Sequence, residues 1–321
     1  MSSSQKRPTL EIILPVYNEQ EVLSPLINEL DQVTEPLRRT MEVGYLFVND
    51  GSSDDTPVFL EVLSHKRNDV RVVNLLHNFG HSAALQAGLD HFDGDVCVLM
   101  DADLQDSPTV IPEMVEKWKK GARTVVVERG ARGEANGWMF KLFYKVYHGL
   151  AQRMPPIDFG TFCLLDRTTV DRLRKLSEQS RYFPGLVAYA SGPLETVKAA
   201  RRPRGGGSSR VGFGGLVHLA ITACLSFSHV PIRLVSVLGL LSSFVAITAG
   251  LTIIGIKLFT ARAIPGWASM MTAIALSSGI QLLCLGLMGE YLSRIFQEVK
   301  SRPLYFVGTV HEKANRKKKA A

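Results

Sequence analysis

Val96-Cys97-Val98-Leu99-Met100 is an unbroken apolar run, and it passes directly into Asp101-Ala102-Asp103-Leu104-Gln105-Asp106. An apolar run this short, rich in β-branched residues and without alternation, reads as a strand buried on both faces, as in a parallel sheet. Open α/β sheets bind ligands just beyond the carboxyl ends of their strands. A cluster of carboxylates at that point therefore marks the first place to look for chemistry.

Working outward, residues 10–16, 45–49, 70–75 and 124–127 read as further strands, and 19–38, 56–66, 82–91 and 107–119 carry helical spacing. Such strand–helix alternation predicts a mostly parallel sheet with helices on both faces. Each strand is followed by a polar loop: Pro15-Val16-Tyr17-Asn18-Glu19, then Asn49-Asp50-Gly51-Ser52-Ser53-Asp54, then His77-Asn78-Phe79-Gly80-His81. Together with the Asp101 loop they fall on one rim.

Asp101 and Asp103 are one residue apart, so on a turning backbone both carboxylates can converge on one cation. Hard oxygen donors suit Mg²⁺ or Mn²⁺, which take remaining ligands from water and substrate phosphate, and Gln105 is placed to join them. The second loop has two readings. Gly51 with its serines and aspartates makes a turn plus a helix N-cap, or Asp50 accepts a hydrogen bond from a nucleobase.

The net charge of +7 is concentrated at 201–210 and 316–319, and these runs flank an apolar region. That arrangement excludes a nucleic-acid surface as the first reading and favours lipid headgroups, with a solvated tail as the alternative for the terminal lysines. From 234 to 256 there are 23 residues without a charge, and from 264 to 289 there are 26. A bilayer core takes about 20 helical residues, so each run can cross once. The short link 257–263 makes them a hairpin with both flanks on one side, and the basic residues around Arg233, Arg294, Lys300 and Arg302 set that side as cytoplasmic. Small residues, Gly239, Ser242 and Ser243 in one span and Ser277, Ser278 and Gly279 in the other, permit close helix packing in the hairpin or in a homo-oligomer. Residues 213–230 are apolar with scattered polar positions, and read as an interfacial helix or as a buried one. The boundaries expected are thus 1–212 catalytic, 213–232 amphipathic juxtamembrane, 233–292 two transmembrane helices and 293–321 a basic tail. The four cysteines are widely spaced, which argues against a disulfide framework, and the N-terminus has no long apolar run of a cleaved leader.

The four loops, in this order and spacing, resemble the inverting family-two glycosyltransferases of GT-A fold. Asp158-Phe159-Gly160, Arg181-Tyr182-Phe183-Pro184-Gly185 and Arg204-Gly205-Gly206-Gly207-Ser208-Ser209-Arg210, followed by two apolar spans, are similar to the polyprenyl-phosphate group, with dolichyl-phosphate mannose synthase and bactoprenol glucosyltransferases among its members. The resemblance implies that Pro15, Tyr17, Glu19, Asp50, Asn78 and Asp101 hold the nucleotide of a nucleotide-sugar. It implies that Asp101, Asp103 and Gln105 hold the metal. It implies that Arg129, Arg132, Lys141, Arg204, Ser209 and Arg210 receive the acceptor phosphate, and that Arg129 and Asp158 join Asp101 and Asp103 in catalysis. Asp158 is open between acting as base, positioning the acceptor and shaping a turn.

The sequence departs from the family pattern at Asn49, where an aspartate is common, at Tyr144, where a serine is common, and at Val211, where an aromatic is common. The expected activity is transfer of a hexose, from UDP-glucose or a related UDP-sugar, to polyprenyl phosphate at the bacterial plasma membrane. Two rival readings are a silent membrane scaffold that binds nucleotide-sugar or recruits a lipid-carrier flippase, and a polysaccharide synthase. The latter group usually carries a QxxRW motif and more spans, neither of which is visible here.

Overall fold

The computed structural model describes residues 7–129, 159–179, 181–199, 230–259 and 266–312. The chain divides into two compact units, one holding 1–148, 152–212 and 302–321, the other 149–151 and 213–301.

Among the described residues the first unit has eight strands: β1 (Thr9–Val16), β2 (Glu42–Asn49), β3 (Val70–Leu75), β4 (Val96–Leu99), β5 (Thr124–Arg129), β6 (Phe159–Asp166), β7 (Glu195–Ala199) and β8 (Val307–His311). Their order across the sheet is β7-β5-β6-β4-β1-β2-β3-β8. β1 pairs in parallel with β2 and β4, β2 with β3, and β5 with β7. β6 runs antiparallel to both of its neighbours, β4 and β5, and β8 runs antiparallel to β3. Only β6 and β8 therefore point against the rest, which makes the sheet mostly parallel.

The helices of this unit are α1 (Gln20–Thr34), α2 (Thr56–Lys66), α3 (His81–His91), α4 (Ile111–Lys119), α5 (Arg167–Leu173) and α6 (Phe183–Ala190). Strand periodicity assigns them to faces. Leu10, Ile12, Leu14 and Val16 of β1 join one buried cluster with Leu23, Leu26 and Leu30 of α1 and Ile111, Met114 and Val115 of α4. Ile13 points the other way, where a Cβ added at Gly88 of α3 would lie 2.3 Å from its Cγ2. Glycine at 88 thus lets α3 press directly onto the central strand. With both faces covered, β1 is buried along almost its whole length, including Glu11, whose carboxylate pairs with Arg71 at 2.7 Å.

The expected strands and helices of residues 10–127 are found within a few residues of their predicted ends. Two differences concern elements far apart in sequence. β6 inserts between β4 and β5, and the reading of 293–321 as no more than a basic tail is corrected, because 307–311 returns to the sheet as its edge strand β8. β8 is short and exposed along most of its length, so no apolar periodicity announces it.

The second unit contains two long helices, α7 (Val230–Phe259) and α8 (Trp267–Lys300). Among the described residues one helix, over Ser269–Lys300, is long and apolar enough to cross a membrane, and the apolar stretch Gly239–Thr252 within α7 is shorter. Leu282, Leu285 and Leu292 of α8 are exposed. The expected juxtamembrane segment lies outside the described residues except for its last positions, 230–232.

Candidate active site

The loops that follow β1, β2, β3 and β4 lie at one rim because these four strands run in parallel. The first three are tied to one another by side chains acting on backbone. Asn18, held at φ 54°, donates its N–H to Ser52 Oγ at 3.0 Å and accepts from Ser53 N–H at 2.8 Å. Asn49 accepts from Ser52 N–H at 3.1 Å and donates from Nδ2 to Asn74 Oδ1 of β3 at 2.9 Å. The asparagine at 49, a departure from the family pattern, is thus a bridge that needs both a donor and an acceptor, and an ionised aspartate lacks the donor.

Asp50 closes this lattice. Its two oxygens accept from the N–H groups of Phe79 at 2.8 Å and Gly80 at 3.0 Å, and the residue is only 3% exposed. Burial raises its pKa above the usual carboxylate value, against the two hydrogen bonds and the neighbouring His81 and His77, which lower it. Expected as an acceptor for a nucleobase, this carboxylate has one backbone partner on each oxygen, which joins two rim loops and leaves each oxygen a further lone pair with which to accept. Gly51 lets them meet: it sits at φ +66°, and a Cβ there would stand 2.4 Å from the carbonyl carbon of His77. Any side chain would force the loops apart.

The loop after β4 is different. Asp101 Oδ1 accepts from Thr161 Oγ1 at 3.1 Å and lies 3.4 Å from Nε2 of His81, the first residue of α3. Asp103 Oδ1 accepts from Gln105 N–H at 3.0 Å, and Leu104 between them takes a left-handed φ of 59°. Among the described residues the second oxygen of each carboxylate has no hydrogen-bond partner. Ala102 between them is buried, which leaves the two aspartates as the half-buried, outward part of the turn. Two carboxylates with uncommitted oxygens and an adjacent amide are a donor set that fits a hard divalent cation.

Of the other residues expected at the site, Pro15 is buried in β1 opposite Val48, Tyr17 and Glu19 are half-buried beside it, and Asn78 is exposed at the tip of the third loop. The backbone N–H of Glu19 donates to Thr56 Oγ1 at 3.2 Å, which fixes the entry to α1. Arg129 ends β5 opposite Ala199, and its side chain is outside the described part. Arg132, Lys141, Asp158, Arg204, Ser209 and Arg210 lie outside the described residues.

Two residues at the site had no role assigned from sequence. His81 is one more polar position of the loop 77–81, with nothing local to set it apart. Thr161 reaches Asp101 because β6 is antiparallel to β4, with Leu99 opposite Cys163. The pairing of two strands separated by about 60 residues leaves no local periodicity to read.

A mostly parallel α/β sheet with an Asp-x-Asp turn on a loop-built rim is a GT-A-like fold. Residues 11–172 match the model of glycosyl transferase family 2, and the chain belongs to that family: it is a glycosyltransferase. It is 37% identical to the uncharacterized glycosyltransferase YkcC of Bacillus subtilis (strain 168), over 92% of this chain and 92% of that one. It is 31% identical to the SfII prophage-derived bactoprenol glucosyl transferase of Shigella flexneri, over 94% of this chain and 98% of the relative. Among solved structures, mannosyl-3-phosphoglycerate synthase from Rubrobacter xylanophilus superposes with a TM-score of 0.46 at 18% identity, covering 82% of this chain and 80% of that one.

Proposed function

We propose that this glycosyltransferase moves a hexose from a nucleotide-sugar, UDP-glucose or a related UDP-sugar, onto polyprenyl phosphate of the undecaprenyl type, with inversion at the anomeric carbon. The observation that carries the reading is the pair Asp101 and Asp103, each with an oxygen uncommitted among the described residues, at the carboxyl end of β4. The similarity to a bactoprenol glucosyl transferase over nearly the whole chain supports the lipid acceptor. The exposed apolar helix over Ser269–Lys300 supports attachment to a membrane. On this reading the chain is a multi-pass protein of a bacterial plasma membrane with its catalytic unit on the cytoplasmic side, self-associating through the small residues of its spans.

Departure of the nucleoside diphosphate builds negative charge on the leaving oxygens. Asp101 and Asp103, with Gln105, would hold a Mg²⁺ or Mn²⁺ ion, which supplies Lewis-acid stabilisation of that charge when bound. Thr161 and His81 orient Asp101 from two sides, so its free oxygen is aimed before substrate arrives. Pro15, Tyr17, Glu19, Asp50 and Asn78 border the space for the nucleoside, and Asp50 also keeps the loops bearing them in register. The acceptor is a phosphate monoester, whose second ionisation lies near pH 6, so it is already a nucleophile at neutral pH. What it needs is company for its charge, and Arg129, Arg132, Lys141, Arg204, Ser209 and Arg210 are assigned that role, with guanidinium groups binding phosphate bidentately. Asp158 is assigned to orienting the acceptor.

The test is a panel of nucleotide-sugars incubated with the purified full-length protein, Mg²⁺ and undecaprenyl phosphate. A UDP-hexose should give a lipid-linked hexose of inverted anomeric configuration, and EDTA should stop it. Absence of lipid product with every donor would overturn the assignment in favour of a silent scaffold, and a polymeric product would favour a synthase.

A further inference from the structure

A second constellation stands apart from the rim. Glu61 and His65 are one helical turn apart on α2, so they share a face, and His311 ends β8. One ligand atom from each of the three lies within 4.8 Å of the others, and the two imidazole rings meet edge to face with centroids 6.4 Å apart. The register puts His311 opposite Val72, near the start of β3, whereas the rim lies past Leu75 at the end of that strand. Neither histidine nor the glutamate takes part in the contacts of the Asp101 loop.

The donor set has a definite chemical preference. Two imidazole nitrogens and one carboxylate, with room for water, suit Zn²⁺, and Mg²⁺ prefers oxygen alone. Ligand atoms around a tetrahedral zinc stand about 3.3 Å apart for bonds of about 2.0 Å. Glu61 and His65 are exposed and free of backbone constraint at their tips, so small χ rotations bring the three atoms to that spacing. His311 is already oriented. Its Nε2 lies 3.2 Å from Thr309 Oγ1, which also accepts from Asn74 Nδ2 at 2.9 Å. In the tautomer that donates from Nε2 to Thr309, Nδ1 carries the lone pair that a metal requires, the arrangement by which histidine ligands are ordinarily fixed. Arg71, 4.0 Å from Glu312, steadies the same strand end.

We propose that Glu61, His65 and His311 bind one Zn²⁺ ion and that this ion fastens the edge strand β8 to α2. β8 is the segment by which the chain beyond α8 rejoins the catalytic sheet, and as an edge strand it pairs, among the described residues, with β3. A metal bridge would add a second attachment, on the helix side.

The experiment is calorimetric titration of the full-length protein with Zn²⁺ in excess Mg²⁺, alongside Co²⁺ as a spectroscopic substitute. One zinc per chain is expected, with the visible absorption of tetrahedral Co²⁺ and a rise in Tm on zinc addition. His65→Ala, His311→Ala and Glu61→Gln should each weaken zinc at least tenfold and remove the rise in Tm, and Asp103→Ala should leave zinc binding intact. Glu61 and His65 are exposed and His311 and Asp103 only half-buried, so circular dichroism should remain that of the parent. Retention of zinc by both histidine variants would overturn the proposal, and its loss only in Asp103→Ala would overturn it and place the zinc at the rim. The transferase reading is judged separately, by lipid product.

Discussion

The rim of the sheet is made of two unlike halves. The loops after β1, β2 and β3 are spent on one another: Asn18 holds Ser52 and Ser53, Asn49 holds Ser52 and Asn74, and Asp50 holds Phe79 and Gly80. The loop after β4 keeps its capacity, with one oxygen each of Asp101 and Asp103 uncommitted among the described residues. Similar residue types thus do opposite work. An acid whose oxygens are both occupied by N–H groups stiffens the frame, and an acid with one oxygen engaged is aimed and still available. Preorganisation of this kind lets a site stabilise charge without rearranging at the moment of reaction.

The contrast can be broken from either side. Asp103→Ala should have the largest effect, lowering kcat by about 10³-fold while leaving thermal unfolding near that of the parent, as checked by lipid-product assay and calorimetry. Gly51→Ala should do the reverse. With φ +66° and a Cβ 2.4 Å from backbone of His77, it should cost about 3 kcal/mol of stability, read by chemical denaturation. Asp50→Asn replaces one acceptor by a donor facing an N–H group, and should cost about 2 kcal/mol, raising KM for the nucleotide-sugar more than it lowers kcat.

A smaller effect concerns a third group of acids, remote from chemistry. Burial works to raise the pKa of Asp31 and Asp69, but hydrogen bonds override it, from Arg67 and Tyr45 to Asp31 and from Arg67 and Arg38 to Asp69, so both are lowered. Carboxylates with depressed folded-state pKa values contribute stability that is full above the unfolded value of about 3.9 and is lost as pH falls through the folded values. Acid unfolding of the parent should therefore occur below that point, and Arg67→Ala should move the midpoint to higher pH. An unchanged midpoint would remove this cluster from the account.

Much of the frame was legible because parallel strands advertise themselves. Residues 96–100 are apolar without alternation and 10–16 are apolar but for Glu11, and each ends in a polar loop, so both the strand and the ligand-facing edge could be placed from local sequence. The Asp101–Asp103 turn was found by the same logic. The division of labour between Asp50 and Asp101 was not, since both are acids after a strand and only the neighbouring loop's N–H groups distinguish them. Thr161 and β8 escaped for another reason: each joins the sheet through antiparallel pairing with a distant segment. Asn49, legible only as a departure from the family pattern, bridges β2 and β3.

The central claim is that Asp101 and Asp103 couple a divalent cation to the donor diphosphate while the Asp50 lattice only shapes the space around it. UDP affinity, titrated with and without Mg²⁺ in the parent, Asp103→Ala and Asp50→Asn, tests this most directly. The account predicts that Mg²⁺ tightens UDP at least tenfold in the parent and in Asp50→Asn, and that this gain vanishes in Asp103→Ala. An undiminished Mg²⁺ effect in Asp103→Ala would contradict it.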